Sequence, residues 1–413
     1  MINKSKEVMP ERRKVLLLVG VGVMAEGYLQ AAQQRDLDVA VVETSGRLKE
    51  LRSKFSCIVE GEEVKASVCL DEAWVLPALN LAKRVNPAAV LGFAEPQIMS
   101  ASIVQEELGL PGPSVRAATV SRNKATQRSL FENAGIDQPE WILVGGLGEA
   151  KAWATSRFPV VVKPLSRMGS SGVERIDDDA SWKDALCRRG TEGPLLVEEY
   201  IEGDEFSIEA LISEGRIIFS NITRKTTSGA PHFVELAHVA GYAVEQPDLA
   251  QDALVILQKV VKKIGVQSSI VHLEFKRRPS GRVAVIEIAV RTPGDHIMEL
   301  IFRSYDFNIY AAALDLAFGN ELQDVKFMRR VQLAGVQYVD STLTGKINNI
   351  RNLAWDQIPG YERSHIMKKT GDSVKPASET RDRVGYVIIT QPTLKSLETS
   401  MRSVVESFFI SVS

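Results

Sequence analysis

The stretch Val271-His272-Leu273-Glu274-Phe275-Lys276, then Arg277-Arg278-Pro279-Ser280-Gly281-Arg282, then Val283-Ala284-Val285-Ile286-Glu287-Ile288-Ala289-Val290-Arg291 decides how the second half of this chain is read. Two β-branched runs around a short polar segment with Pro and Gly predict a hairpin. A loop over Pro279–Arg282 sets Arg278 opposite Val283 and Glu274 opposite Glu287. Side chains alternate between faces. Leu273, Phe275, Ala284, Ile286, Ile288 and Val290 then share an apolar face, and His272, Glu274, Lys276, Glu287 and Arg291 share the other. Opposed like charges are unfavourable, by ~1 kcal/mol at about 4 Å in water and ~4 kcal/mol in a partly desolvated cleft. A cation between them reverses the sign, and a small set of oxygen ligands suits Mg²⁺ shared with phosphates. A solvated polar face with Lys276 and Arg291 as counter-ions is the alternative.

The 413 residues suffice for two or three domains with their own cores, and 45% hydrophobic with 25% charged residues is ordinary for a globular protein. A net charge of −2 gives no basic field, so neither nucleic acid nor an anionic membrane is an expected partner. Cys57, Cys69 and Cys187 are scattered and make no CxxC, which suggests neither a zinc site nor a disulfide framework and suits a reducing cytoplasm. Lys4, Lys6, Arg12, Arg13 and Lys14 ahead of the apolar run Val15–Ala25 imitate a secretory signal. Glu26-Gly27-Tyr28 supplies no small-residue cleavage site, so a first buried strand is expected instead. No apolar run is long enough to span a bilayer.

Outward from the hairpin, the N-terminal segment reads as a βαβ opening: strand Val15–Val19, turn Gly20-Val21-Gly22, a helix over Ala25–Gln34 and strand Val39–Glu43. A third strand is expected at Ala88–Phe93, and the Pro- and Gly-rich connection Gly109–Ser114 closes this domain. A helix over Lys124–Ala134 stops at Gly135. Strand Phe158–Lys163 precedes the loop Ser166-Arg167-Met168-Gly169-Ser170-Ser171-Gly172. Strands Leu195–Glu199 and Glu205–Ser213 flank the turn Glu202-Gly203-Asp204, and a long helix covers Asp248–Ile264. From Asn320 onward come short strands, turns at Gly345 and Gly371 and a last helix over Leu394–Phe408.

Lys163 ends an apolar strand beside a Gly/Ser loop. A rigidly delivered ammonium and small residues whose N–H groups approach closely can hold phosphate oxygens; a strand-end lysine reaching solvent is the plain alternative. In Leu195-Leu196-Val197-Glu198-Glu199-Tyr200-Ile201, then Glu202-Gly203-Asp204-Glu205-Phe206, a strand runs into a hinge whose backbone can pair with a purine edge. Glu198 and Glu205 there can accept from an exocyclic amine and from ribose hydroxyls. A charged hairpin explains the same residues.

Taken in chain order, Lys124 in Ser-Arg-Asn-Lys-Ala, Lys163 before its loop, Glu198…Ile201…Glu205, and Glu274 with Glu287 in an E…EIxxR arrangement resemble the ATP-grasp superfamily. The resemblance spans nearly the whole chain. It implies an α/β fold: an N-terminal Rossmann-like (pre-ATP-grasp) domain over 1–118, a two-part α+β ATP-grasp unit with subdomains 119–194 and 195–320, and a small C-terminal α+β domain over 321–413. It also implies that Lys124 and Lys163 bind ATP phosphates and that Arg167–Gly172, with Ser170, Ser171 and Gly172, is a flexible phosphate loop. Glu198 and the backbone of Glu199, Tyr200 and Ile201 would hold adenine, and Glu205 the ribose. Glu274 and Glu287 would carry one or two Mg²⁺, or Mn²⁺ in their place. The family's metal motif is E-x-N, and Ala289 stands where the asparagine belongs. The stretch Glu287–His296 is nonetheless similar to the L-amino acid ligase branch, in which that asparagine is often missing and the arginine is kept.

In that branch Arg291 would serve substrate chemistry, since guanidinium geometry suits a carboxylate or acyl phosphate; a salt bridge to Glu287 is the alternative. Phe233-Val234-Glu235-Leu236-Ala237-His238 resembles its substrate-pocket loop, with Glu235 meeting the amine's charge and His238 closing on substrate. His296, Glu299, Arg224 and Lys225 are secondary candidates. The implied reaction joins a small-molecule carboxylate to an amine through an acyl phosphate in an ADP-forming ligation, with the segments 167–172 and 226–238 as lids. The same resemblance allows a homodimer and leaves the oligomeric state open. Three other readings stay open: a relative using bicarbonate or formate, an ATP-binding regulator without catalysis, and a dinucleotide oxidoreductase. The last lacks the third glycine of its fingerprint and an acid at the expected place.

Overall fold

The structure, a computed structural model, describes residues 13–65, 71–322, 328–352 and 354–413, so Lys4, Lys6, Arg12 and Cys69 lie outside the described residues. The chain divides into one unit of residues 1–112 with 317–320 and a second of 113–316 with 321–413. In the first, β1 (Val15–Val19), β2 (Asp38–Glu43), β3 (Ile58–Glu63) and β4 (Ala89–Gly92) form a parallel sheet in the order β3-β2-β1-β4. Leu17, Val19, Ala40, Val42 and Val90 meet Trp74, Ala78, Leu81 and Val104 in one core. This is why β1 and β2 read as unbroken apolar runs: a parallel sheet is covered on both faces.

β3 corrects the expected count of three strands. It reads Ile-Val-Glu-Gly-Glu-Glu, lies at the sheet edge and is mostly half-buried or exposed. Edge strands need little apolar patterning, so the signal was absent. Glu43 corrects a second expectation, because it does stand at the end of β2 where a dinucleotide's ribose-binding acid belongs. Its carboxylate is instead buried, accepting from the backbone N–H of Val21 and of Thr44 at 2.7 Å each. The acid ties down the glycine turn itself.

The second unit holds β5 (Trp141–Val144), β6 (Val160–Pro164), β7 (Glu174–Ile176) and β8 (Leu195–Glu199) as an antiparallel sheet in the order β5-β8-β6-β7. It continues with β9 (Glu205–Ser213), β10 (Arg216–Thr227), β11 (Glu235–Ala240), β12 (Ser269–Arg277), β13 (Val283–Ala289), β14 (Leu333–Val339), β15 (Gly345–Asn352), β16 (Tyr361–Ile366), β17 (Ser373–Val374), β18 (Gly385–Gln391) and β19 (Phe408–Val412). Eight of these make one sheet, ordered β13-β12-β9-β10-β11-β14-β18-β16, and β17-β15-β19 make another. C-terminal strands are therefore built into the same sheet as the hairpin. Gly345 begins β15 rather than a turn. The helix Pro247–Ile264 buries Leu249, Ala253, Leu257, Val260, Val261 and Ile264, a stripe at helical spacing laid on β9, β10 and β13. Among the described residues no helix is long and apolar enough to cross a membrane, and Cys57 and Cys187 are free thiols.

Candidate active site

Glu274 does pair directly with Glu287 in the β12–β13 register, but by a different route from the one expected. The ladder begins at Arg277↔Val283, so the loop is a residue longer than Pro279–Arg282, and a bulge between Glu274 and Phe275 restores the pairing. Ile286 is the residue the bulge displaces. It is half-buried while Val285 is fully buried, which takes Ile286 off the apolar face assigned to it. Bulges re-aim side chains where a ladder alone would not.

The polar face is not a solvated one. Glu274 Oε1 accepts from Lys225 Nζ at 2.7 Å and lies 3.2 Å from His272 Nε2. Glu287 Oε1 accepts from Lys124 Nζ at 2.8 Å, and the same ammonium donates to the Arg167 carbonyl at 3.0 Å. The counter-ions are thus Lys225 and Lys124 rather than Lys276 and Arg291. Behind Glu274 runs a buried chain: His272 Nδ1 meets Glu209 Oε1 at 2.9 Å, and Glu209 also accepts from Ser207, Asn221 and Thr223. Burial alone would lower the His272 pKa, but Glu209 and Glu274 outweigh it and hold it at about 9. Glu274 stays well below the usual carboxylate range, because Lys225 and His272 overcome its burial.

Each glutamate therefore has one oxygen held and one, Oε2, without a hydrogen bond among the described residues; both side chains keep 23% exposure. Among the described residues no group of three or more His, Cys, Asp or Glu is arranged as a metal cage. Two open carboxylate oxygens fit a hard cation whose remaining ligands come from phosphates and water, which is the habit of Mg²⁺. Ala289 pairs with His272 across the ladder and is buried.

Lys163 and Glu198 come together, and both are buried. Glu198 Oε2 takes Lys163 Nζ at 2.5 Å and Oε1 takes Arg128 Nε at 2.6 Å, while Arg128 also donates to the Ile286 carbonyl. Burial lowers the Lys163 pKa; it would raise that of Glu198, but Arg128 and Lys163 hold it down. Both oxygens of Glu198 are thus engaged with cations. Arg128 was missed in the sequence, although it lies one turn from Lys124 on the helix Lys124–Glu132. Gln127 on that helix bonds both the N–H of Ile288, at 2.9 Å, and its carbonyl, at 3.1 Å. It behaves as a short extra strand docked on the edge of β13. Asn123 caps the helix by accepting from Thr126 N–H at 2.9 Å.

The hinge keeps Glu199 on Arg278, with two bonds of 2.7 and 3.1 Å. The Tyr200 ring stacks on Phe233 at 5.9 Å, with Arg175 4.2 Å and Lys276 5.1 Å from its centroid. Lys276 also donates to the Ile201 carbonyl at 3.3 Å. Gly203 turns beneath with φ +126°, where a Cβ would meet the Arg277 carbonyl at 1.9 Å, so only glycine fits. Glu205 lies 3.2 Å from Lys225. In the loop 167–172, Ser170 Oγ donates to the Phe233 carbonyl at 3.1 Å and to Glu235 Oε2 at 3.4 Å. Ser171 N–H donates to the Met168 carbonyl, and Gly172 has φ +74°. Gly169 packs against Thr380, whose hydroxyl donates to its carbonyl at 3.3 Å.

Glu235 and His238 sit on β11, not on a loop, because β11 pairs with β10 and β14 on its two sides. Only residues 228–234 of the expected lid lie outside strands. Glu235 is 3.6 Å from Lys225, and burial raises its pKa against the pull of that lysine. Arg291 lies beyond the end of β13 and donates to the Thr292 carbonyl at 2.7 Å. His296 Nδ1 faces Arg363 at 3.2 Å, and Glu299 binds both Arg363 and Arg303. Arg224 pairs with Glu398 at 2.7 Å.

The chain is similar to known proteins. Residues 156–299 match the family described as ATP-grasp domain, and residues 337–413 match the L-amino acid ligase C-terminal domain 2. An uncharacterized protein of Sinorhizobium fredii is 24% identical over 100% of this chain and 85% of its own length. The L-arginine-specific L-amino acid ligase of Bacillus subtilis is 24% identical over 55% of this chain and 57% of its own length, so the match spans little more than half of that relative. The crystal structure of an L-amino acid ligase from Bacillus licheniformis superposes with a TM-score of 0.83 at 20% identity, covering 98% of this chain and 100% of that one.

Proposed function

We propose that this chain, which belongs to the ATP-grasp carbon–nitrogen ligases and carries an L-amino acid ligase C-terminal domain, joins the carboxylate of an amino acid or small acid to the amine of an amino acid. The observation that carries the reading is the Glu274–Glu287 pair, each with one oxygen on a lysine and one open. Opposed carboxylates ringed by Lys124, Lys225 and Lys163 are what a triphosphate with its cation needs. Phosphoryl transfer asks chiefly for positioning and charge neutralisation.

In this reading the substrate carboxylate attacks the γ-phosphorus of ATP, ADP leaves, and an acyl phosphate forms. The amine then attacks the acyl carbon, and phosphate departs with the electron pair of the broken C–O bond. Lys124 and Lys163 position the phosphates, with Ser170, Ser171 and Gly172 beside them. Glu198 holds Lys163 in place, the Glu199–Ile201 backbone takes the adenine, and Glu205 takes the ribose. Glu274 and Glu287 would hold Mg²⁺, or Mn²⁺ in its place, which when bound neutralises charge on the phosphates. Arg291 faces the acyl phosphate, and Glu235 meets the charge of the amine.

The test is ADP release over all amino-acid pairs, with mass spectrometry of products. A dipeptide formed with one ADP per amide supports the reading. ADP release with bicarbonate or formate alone moves the chain to another ligation, and tight ATP binding without turnover makes it a binding protein. Glu287→Gln should remove turnover while metal-free ATP still binds by calorimetry.

A further inference from the structure

Asp295 and His296 take left-handed backbone in succession, with φ of 51° and 62°, just before the helix Ile297–Ser304. Non-glycine residues adopt this region at a cost, and such strain gathers where a side chain must be aimed. What the turn aims is the Asp295 carboxylate. Its Oδ1 accepts from Arg383 Nη2 at 2.6 Å, and its Oδ2 lies 3.2 Å from His238 Nε2. Arg383 is locked in turn: it donates to the carbonyls of Thr380 at 3.0 Å and Glu235 at 3.3 Å, and stands 3.6 Å from the Tyr338 ring centroid. Burial alone would raise Asp295, yet Arg383 and His238 keep it well below the usual carboxylate range.

An ionised carboxylate can only accept, so the neutral imidazole that pairs with it carries its proton on Nε2 and presents a lone pair at Nδ1. His238 is 1% exposed, and its Nδ1 is buried without a partner among the described residues. The Tyr338 hydroxyl is buried and unpartnered in the same way, on a ring set edge-on to His238 with centroids 6.3 Å apart. Native interiors rarely leave such atoms unsatisfied unless a ligand or water completes them. A lone-pair acceptor, with a hydroxyl that gives and takes on the neighbouring ring, suits a neutral amine, which has N–H to give and a lone pair to shape.

We propose that His238 and Tyr338 receive the attacking amine, His238 Nδ1 taking its proton, with Asp295 and Arg383 as the positioning pair behind them. The inference rests on the amide-forming reading above. The amine lone pair forms the C–N bond, the C–O bond to phosphate breaks with its electrons on phosphate, and the N–H proton passes to Nδ1 and then to the departing phosphate. Asp295→Asn can donate to Nε2 and so turn the imidazole over to the Nδ1–H tautomer, as carboxamide replacement does in other Asp–His pairs.

The experiment compares two nucleophiles on the purified full chain with ATP, Mg²⁺ and a mixture of the twenty common amino acids. Hydroxylamine is largely unprotonated at neutral pH and traps an acyl phosphate as hydroxamate without a base; amino-acid amines give dipeptide. For Asp295→Asn the dipeptide-to-hydroxamate ratio should fall about 100-fold or more, and for Tyr338→Phe about tenfold. ATP binding and the melting temperature report that each variant is folded, and Tyr338→Phe removes only one hydroxyl. A ratio unchanged in both variants overturns the proposal, whether the rates hold or fall together. Absence of both products from the unmodified chain overturns the ligase reading itself.

Discussion

Arg291 has its guanidinium on the Thr292 carbonyl just past β13, outside the Lys124–Glu287 and Lys225–Glu274 pairs. Its removal should therefore act on chemistry more than on nucleotide. We expect Arg291→Ala to cut turnover by about 100-fold or more, the range for losing one charge-stabilising donor, while the ATP dissociation constant changes by less than about threefold in calorimetry. Near-normal amide formation would falsify that role. His296 gives a residue-scale test of stability. Burial, with Arg363 alongside, depresses it to about 4, so the folded chain resists a proton that the unfolded chain accepts near pH 6.5. The unfolded state then binds more protons between those values, and stability falls as pH drops from about 6.5 to about 4. The size is roughly 3 kcal/mol from this histidine. Urea midpoints from pH 7 to 4 should fall less steeply in His296→Gln than in the parent, and identical slopes would remove the argument.

The helix Lys124–Glu132 and the edge of β13 form the element that sets the candidate site. Gln127 satisfies the N–H and carbonyl of Ile288, and Arg128 reaches both the Ile286 carbonyl and Glu198. Losing the amide takes a partner from three buried backbone groups, the N–H and carbonyl of Ile288 and the carbonyl of Ser121, at about 1–3 kcal/mol for each left unpaired. Gln127→Leu should therefore lower stability by roughly 3 kcal/mol and raise the KM for ATP several-fold, since Lys124 loses its fixed distance to Glu287. Chemical denaturation and steady-state kinetics read the two effects; a destabilised variant with unchanged KM would make Gln127 purely structural. The helix and the hairpin were both readable from periodicity, caps and turn residues. Their docking was not, because a side-chain amide posing as a strand leaves no pattern in the sequence. The bulge at Ile286 was hidden for a similar reason: the longer loop and the extra residue cancel at Glu274↔Glu287.

At the scale of the whole molecule, β14, β16 and β18 lie in the same eight-stranded sheet as β9–β13. A cut after Asn320 would strip β11 of its neighbour β14 and leave an open apolar edge, a template for aggregation. We expect a chain of residues 1–320 to be insoluble or to lack cooperative unfolding, whereas a C-terminal part that is only an accessory would leave a soluble ATP-binding fragment. The same topology explains what was missed around His238. Asp295 is close in sequence to Arg291, but Tyr338 and Arg383 reach it from β14 and from just ahead of β18. No local spacing signals a contact across that separation.

By itself the sequence determined some of the elements and the chemical inventory: the parallel opening, the hairpin, the opposed glutamates, the lysine before a Gly/Ser loop and the order that marks the family. Those are local facts, written in alternation, turn residues and short motifs. Only the tertiary structure decided which charges meet. Lys225, a secondary candidate in the sequence, becomes the counter-ion of Glu274, and Glu198 closes on Lys163 and Arg128. His238 is backed by an aspartate and an arginine from two other segments. Ion pairing depends on distance and burial, and both are set by how sheets and helices pack rather than by neighbours along the chain.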